Sequence, residues 1–87
     1  MQGMFKNTNT FNQNISDWDV SNVTNMSHMF NFAKEFNQPI GDWDVSNCRL
    51  MISMFHSCWM FNQPLNNWNV SKVENMQAMF AGAFSFN

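Results

Sequence analysis

The strongest constraint on this chain is a short sequence word, Met-x-x-Met-Phe, which recurs four times at a fixed interval of 25 residues. A further Phe follows each word at a constant distance, and no insertion or deletion interrupts the spacing. A fixed period of roughly 20–50 residues is typical of proteins built from stacked repeat units. The four words begin at Met1, Met26, Met51 and Met76.

The period divides the 87-residue chain, which is long enough for one small domain. The division gives a partial coil at 1–10, whole coils at 11–35, 36–60 and 61–85, and a stub at 86–87. We call the residues that share one place in the period a column. Because Met1 itself lies in a column, we expect the chain to be part of a longer array or a shortened relative of one.

Within one coil, the apolar spacing predicts a short helix followed by a short strand. Apolar residues from Val23 to Ala33 recur at intervals of three and four, which is the spacing of one helix face. Ser21, just upstream, is of a type that caps helix N termini. Trp43 and Val45 favour a strand and are two residues apart, so their side chains would face the same side.

Coils of this kind, stacked in register, would form a right-handed α/β solenoid with short parallel strands on one side and short helices on the other. Nine columns are apolar or small in nearly every copy, so we expect them to form the core. Terminal repeats normally carry polar caps, and no such cap is recognisable here. We therefore expect the chain to associate with itself through the open ends of the solenoid.

Composition and charge argue against several classes of protein. The formal net charge is −2, and the four basic residues form no stripe that could neutralise nucleic-acid phosphates. No apolar run is long enough to cross a bilayer. No secretion signal is visible at the N-terminus. The basic residues are Lys6, Lys34, Arg49 and Lys72.

Three stretches carry a resemblance to a known family. FNQNISDWDVSNVTNMSHMF, FNQPIGDWDVSN and FNQPLNNWNVSKVENMQAMF resemble the BspA-like leucine-rich repeats of mycoplasma lipoproteins and other bacterial surface proteins. The resemblance covers residues 1–87, and it departs from the family pattern at 48–52, where Cys-Arg-Leu-Met-Ile replaces the usual Val-Thr-Asn-Met. It implies a leucine-rich-repeat-like solenoid with a role in adhesion or protein binding at a cell surface. Many members of the group have no assigned function.

Two cysteines fall in apolar or small columns. Cys48 shares its column with Val23, and Cys58 shares its column with Ala33. We interpret both as buried free thiols. A disulfide is the first alternative, and metal ligation is the second, although two Cys residues cannot complete a zinc site. We predict no metal site and no cofactor.

Acidic residues flank the Trp in two successive coils. Asp17 and Asp19 precede Asp42 and Asp44 by one period, and Asn residues occupy the same columns in the third coil. Stacked carboxylate and amide oxygens are ligands that suit Ca²⁺, so a calcium-stabilised repeat is one alternative. The competing interpretation is that these side chains face water or bind turn amides.

An exposed aromatic patch is the first candidate for a partner contact. Trp59 departs from its column, which otherwise holds Asn9, Lys34 and Phe84, and we expect it to form a patch with Phe32 and Phe84. No Ser, His and Asp recur together as a nucleophile, base and orienting group, so no catalytic residues are predicted.

The sequence thus predicts a non-enzymatic interaction or adhesion module within a surface-protein-like repeat array, with an unidentified protein partner. The alternatives are a structural spacer with no specific ligand and the calcium-stabilised repeat. The resemblance alone suggests a location at the cell surface or outside the cell.

Overall fold

In the Met-rich segment of each copy that is followed by another, alternate backbone amides donate to the next copy, and those between them close turns within the segment. The computed structural model describes residues 1–86. In it, the His28 N–H donates to the Ile52 carbonyl oxygen (2.8 Å), and the Phe30 N–H donates to that of Met54 (2.9 Å). Each acceptor lies 24 residues beyond its donor. The same bonds join the neighbouring copies, from Gly3, Phe5 and Asn7 to Ser27, Met29 and Asn31, and from Ser53, Phe55 and Ser57 to Gln77, Met79 and Ala81.

Two columns in this segment have left-handed backbone conformation in every copy. In the second copy they are His28 (φ 59°) and Phe32 (φ 61°), whereas an α-helix requires φ near −63° throughout. Between them the chain makes overlapping turns, with Met29 N–H bonded to Met26 and Ala33 N–H bonded to Phe30. The remaining members of the two columns are Gly3, Ser53 and Ala78, and Asn7, Ser57 and Gly82.

The predicted leucine-rich-repeat-like α/β solenoid is therefore wrong. Residues 1–86 contain no α-helix and no extended strand, and regular pairing is limited to isolated parallel bridges of Leu50 with Asn25 and with Asn75. The helix predicted over 23–33 is replaced by turns because its left-handed residues turn the amides towards the next copy. The strand predicted at 43–45 is also absent, since the Trp43 N–H closes a turn on the Ile40 carbonyl oxygen.

The serine predicted to cap the helix has a different role. Ser21 donates from its backbone N–H (3.0 Å) and its hydroxyl (2.6 Å) to the Asp19 carboxylate. The same arrangement recurs one period later, between Ser46 and Asp44. These bonds stabilise a local turn, which is a common alternative to helix capping for this pair of residue types.

The core contains two parallel rows of stacked phenylalanine rings. Phe30 lies 5.5 Å from Phe55, Phe36 lies 5.9 Å from Phe61, and the two rows touch where Phe30 and Phe36 are 4.1 Å apart. Stacked rings at such distances add to the burial energy of each side chain. All fully buried apolar side chains belong to the columns that the sequence marks as apolar. The complete rows are Phe5, Phe30, Phe55 and Phe80, and Phe11, Phe36, Phe61 and Phe86.

Polar groups are also matched between copies. The Trp43 indole N–H donates to the Ile15 carbonyl oxygen (3.1 Å), and Trp68 bonds to Ile40 one period later (2.9 Å). On the outside, the Asn37 N–H donates to the side-chain oxygen of Asn12 (2.9 Å), and Asn62 repeats the bond to Asn37. Because a buried N–H without an acceptor is costly, these bonds favour the in-register arrangement.

The copies together form a body of nearly equal dimensions, 28 × 26 × 23 Å. Across residues 1–86 we find no helical segment that is both apolar enough and long enough to traverse a bilayer.

Replacing Ala78 (φ 56°) by glycine should stabilise the protein, because an L-residue in the left-handed region is strained by about 1–2 kcal/mol. Part of that gain is offset by the extra chain entropy of glycine, which is about 0.5–1 kcal/mol. Ala81 is also exposed but has no positive φ, so Ala81→Gly is the matched control and should destabilise. Urea unfolding measures both variants. An equal loss of stability in the two would contradict the left-handed assignment of Ala78.

Candidate interaction surface

The column of Asn9, Lys34, Trp59 and Phe84 forms a row on the side of the molecule. The Met60 N–H donates to the Lys34 carbonyl oxygen (3.1 Å), and the Ser85 N–H donates to that of Trp59 (3.2 Å). These bonds hold successive copies of the column side by side. The Trp59 ring lies 6.1 Å from that of Phe84, with the planes tilted by 32°.

A cation covers part of this row. The Lys34 ammonium nitrogen lies 4.3 Å from the centre of the Trp59 ring, which is within the range of a cation–π interaction. Such a contact is worth about 0.5–1 kcal/mol at an exposed site, so a ligand that uses the same ring face can displace the ammonium group. We call Lys34, Trp59 and Phe84 the lateral patch.

A groove opens beside the lateral patch. Its volume is about 520 Å³, and it combines apolar walls with amide, ammonium and carboxylate groups. A site of this mixed character suits a side chain or peptide segment with an apolar body and a polar end. The residues that line it are Asn9, Thr10, Asn12, Lys34, Glu35, Trp59 and Met60.

The structure brings together two of the three residues predicted as a partner contact. Trp59 and Phe84 are neighbours, whereas the ring of Phe32 pairs with His56 at 5.6 Å. Lys34 was not predicted as a contact residue. The available signal was its column, since Lys34 precedes Trp59 by one period.

Exposure at this surface is not explained by the open ends of the repeat. Trp59 is 43% exposed and Phe32 is 38% exposed, although both lie in copies that have a neighbour on each side. Phe84 is 80% exposed and lies in the last copy. Large aromatic side chains that stay exposed although a copy lies on each side are a feature of interaction sites.

The whole sequence matches one known protein family. The family described as "Mycoplasma protein of unknown function, DUF285" has a model that matches residues 1–87. The chain belongs to this family. No curated protein and no solved structure matches it. The family description names no activity, so the function has to be argued from the surface of the molecule.

Both cysteines of this family member are buried free thiols. The Cys58 thiol donates to the Phe30 carbonyl oxygen (2.7 Å), and the Cys48 thiol donates to that of Leu50 (3.3 Å). Burial raises the pKa of Cys58 to about 12, and burial also raises the pKa of Cys48. The reactive thiolate is therefore disfavoured at both positions.

The acidic columns form turns in the structure. Hydrogen bonds from the Ser21 hydroxyl and then from its backbone N–H lower the pKa of Asp19, and Ser46 acts in the same way on Asp44. One carboxylate oxygen of Asp19 and one of Asp44 are thus already acceptors within the chain. Within the described part of the chain, no group of three or more His, Cys, Asp or Glu residues is placed to hold a metal ion.

Cys58→Ala should reduce the loss of stability at alkaline pH. Because the folded-state pKa of Cys58 lies above the unfolded value, its stabilising effect is complete below the unfolded pKa and is lost as pH rises towards about 12. Alanine occupies this column at Ala33 and Ala83, and the chain contains no Tyr that would titrate in the same range. Urea unfolding from neutral to alkaline pH measures the effect. The same alkaline loss in parent and variant would contradict it.

Proposed function

We propose that this chain is a non-enzymatic, protein-binding module of adhesion type. We also propose that it belongs to a bacterial surface-protein array of the BspA-like kind. The sequence resemblance supports the surface role, and the family description, which refers to Mycoplasma, is compatible with it. The recurrence of Asn, Gln and Ser at fixed places in the period supports a non-enzymatic role, because a catalytic site needs different groups that converge at one place.

The observation that carries the proposal is the exposure of Trp59, which is 43% even though a copy lies on each side of it. An indole ring beside a groove of about 520 Å³ can bury a large area of a partner at low cost in side-chain entropy. Lys34 and Glu35 provide charged groups on the groove walls, which can orient a polar partner group. In this proposal Trp59 and Phe84 form the centre of the contact, and Phe32 forms a separate contact.

The rival proposal from another class is a structural spacer that binds nothing specific. A spacer needs the stacked core and the ladder of backbone bonds, but it has no need of an exposed Trp. Binding measurements with side-chain variants separate the two proposals, because a spacer binds no protein through its lateral patch.

Trp59→Ala should weaken capture by any protein that binds the lateral patch by about 2 kcal/mol, which is roughly thirtyfold. The measurement is biolayer interferometry against a panel of immobilised, purified extracellular-matrix proteins. Trp18→Ala is the matched control, because Trp18 has a similar exposure of 40% and lies in the first coil. Equal capture of Trp59→Ala and parent would contradict the patch, and no capture by any protein of the panel would favour the spacer.

A further inference from the structure

In the last copy, three backbone N–H groups are unbonded within the described residues, at positions where every earlier copy donates to the copy that follows it. The N–H groups of Ala78, Phe80 and Gly82 find no acceptor among residues 1–86. Their equivalents one period earlier, Ser53, Phe55 and Ser57, all donate to the following copy. The C-terminal end of the ladder is therefore an unpaired edge, and such edges pair readily with another chain.

The first copy presents the matching acceptors. The carbonyl oxygens of Gln2, Met4 and Lys6 receive no backbone donor within the described part of the chain, whereas Ser27 and Met29, the equivalents of Gln2 and Met4, accept from the preceding copy. The two ends of the molecule thus carry complementary halves of one interaction. The donors at one end and the acceptors at the other occur at every second residue, as do the donors and acceptors that join copies inside the chain.

We propose that a second copy of this chain docks head to tail on this face. In the same register as the internal copies, Ala78 bonds to Gln2 of the second copy, Phe80 bonds to Met4, and Gly82 bonds to Lys6. The occupant is specified by this donor and acceptor pattern, which continues an interface that the molecule already contains. The proposal does not depend on the side chains of the lateral patch.

A fourth backbone bond runs in the opposite direction. Inside the chain, the Met60 N–H donates to Lys34 and the Ser85 N–H donates to Trp59. In the docked pair, the Thr10 N–H of the incoming copy reaches the Phe84 carbonyl oxygen, and neither group has a backbone partner among the described residues. Bonds in both directions fix the register of the two copies.

The aromatic rows continue across the same contact. Phe80 and Phe86 are only partly buried and stack at 4.2 Å, as do the internal pairs. Phe5 of the incoming copy lies over Phe80, and Phe11 lies over Phe86. Burial of these rings, together with the exposed Met4 and Met76, provides the apolar contribution to association.

The contact covers only the Met-rich half of the end face. Phe86 lies over Phe61, but in this register neither copy has a residue that lies over 63–75. A cavity of about 530 Å³ marks this place, between Leu65, Phe80 and Phe86. We therefore expect the association to be weak and to depend on concentration.

The head-to-tail arrangement is heterologous, so it produces chains of more than two copies and can be blocked at either end. Met4→Lys places a charge on the head face, and Met76→Lys places one on the tail face. Each variant alone should remain monomeric in sedimentation velocity at concentrations where the parent forms oligomers. An equimolar mixture should form dimers and nothing larger, because one intact head and one intact tail remain.

The controls separate this contact from other causes. Trp59→Lys adds the same charge at the lateral patch and should associate as the parent does. Circular dichroism of each variant should match that of the parent, and recovery of the dimer in the mixture shows that both variants are folded. A parent that stays monomeric, a mixture that stays monomeric, or variants that associate as the parent does would overturn the proposal.

Discussion

The hydrogen bond from the Phe30 N–H to the Met54 carbonyl oxygen, repeated through the copies, is the constraint on which the rest of the structure depends. Because it joins positions 24 residues apart, it places each column directly beside its equivalent in the next copy. The two rows of phenylalanine rings, the indole bonds of Trp43 and Trp68 and the bonds between Asn12, Asn37 and Asn62 all follow from that alignment.

This alignment requires a strained backbone. Among residues 1–86, six residues other than glycine have positive φ, at a cost of about 1–2 kcal/mol each, and they include the bulky Phe32. The strain persists because the left-handed residues in every copy but the last direct an amide into the ladder, where leaving it unbonded would cost a comparable amount. An internal copy makes these hydrogen bonds on both faces, whereas a terminal copy makes them on one face only. The N–H groups of the last copy that are unpaired within residues 1–86 are thus the physical basis of the head-to-tail docking that we propose.

The burial pattern could be predicted from the sequence, whereas the backbone conformation could not. Met26, Phe30 and Ala33 are buried as predicted, because the spacing of apolar residues indicates which side faces the core. Overlapping turns produce nearly the same spacing as a helix, so the helix prediction was wrong. Gly3 and Gly82 indicate that the two columns are left-handed, but the second copy has His28 and Phe32 at the same places, so glycine does not recur there as a pattern. The exposure of Trp59 could be inferred from its mismatch to its column, whereas the pairing of Phe32 with His56 depends on its left-handed backbone.

The most direct test of the in-register ladder is an NMR measurement of scalar couplings across hydrogen bonds. The structure predicts a coupling between the amide nitrogen of Phe30 and the carbonyl carbon of Met54, with an equivalent coupling from Phe55 to Met79. A helix in the same segment would instead couple Phe30 to Met26, four residues earlier. Observation of that local coupling, without the coupling to Met54, would contradict the stacked turns.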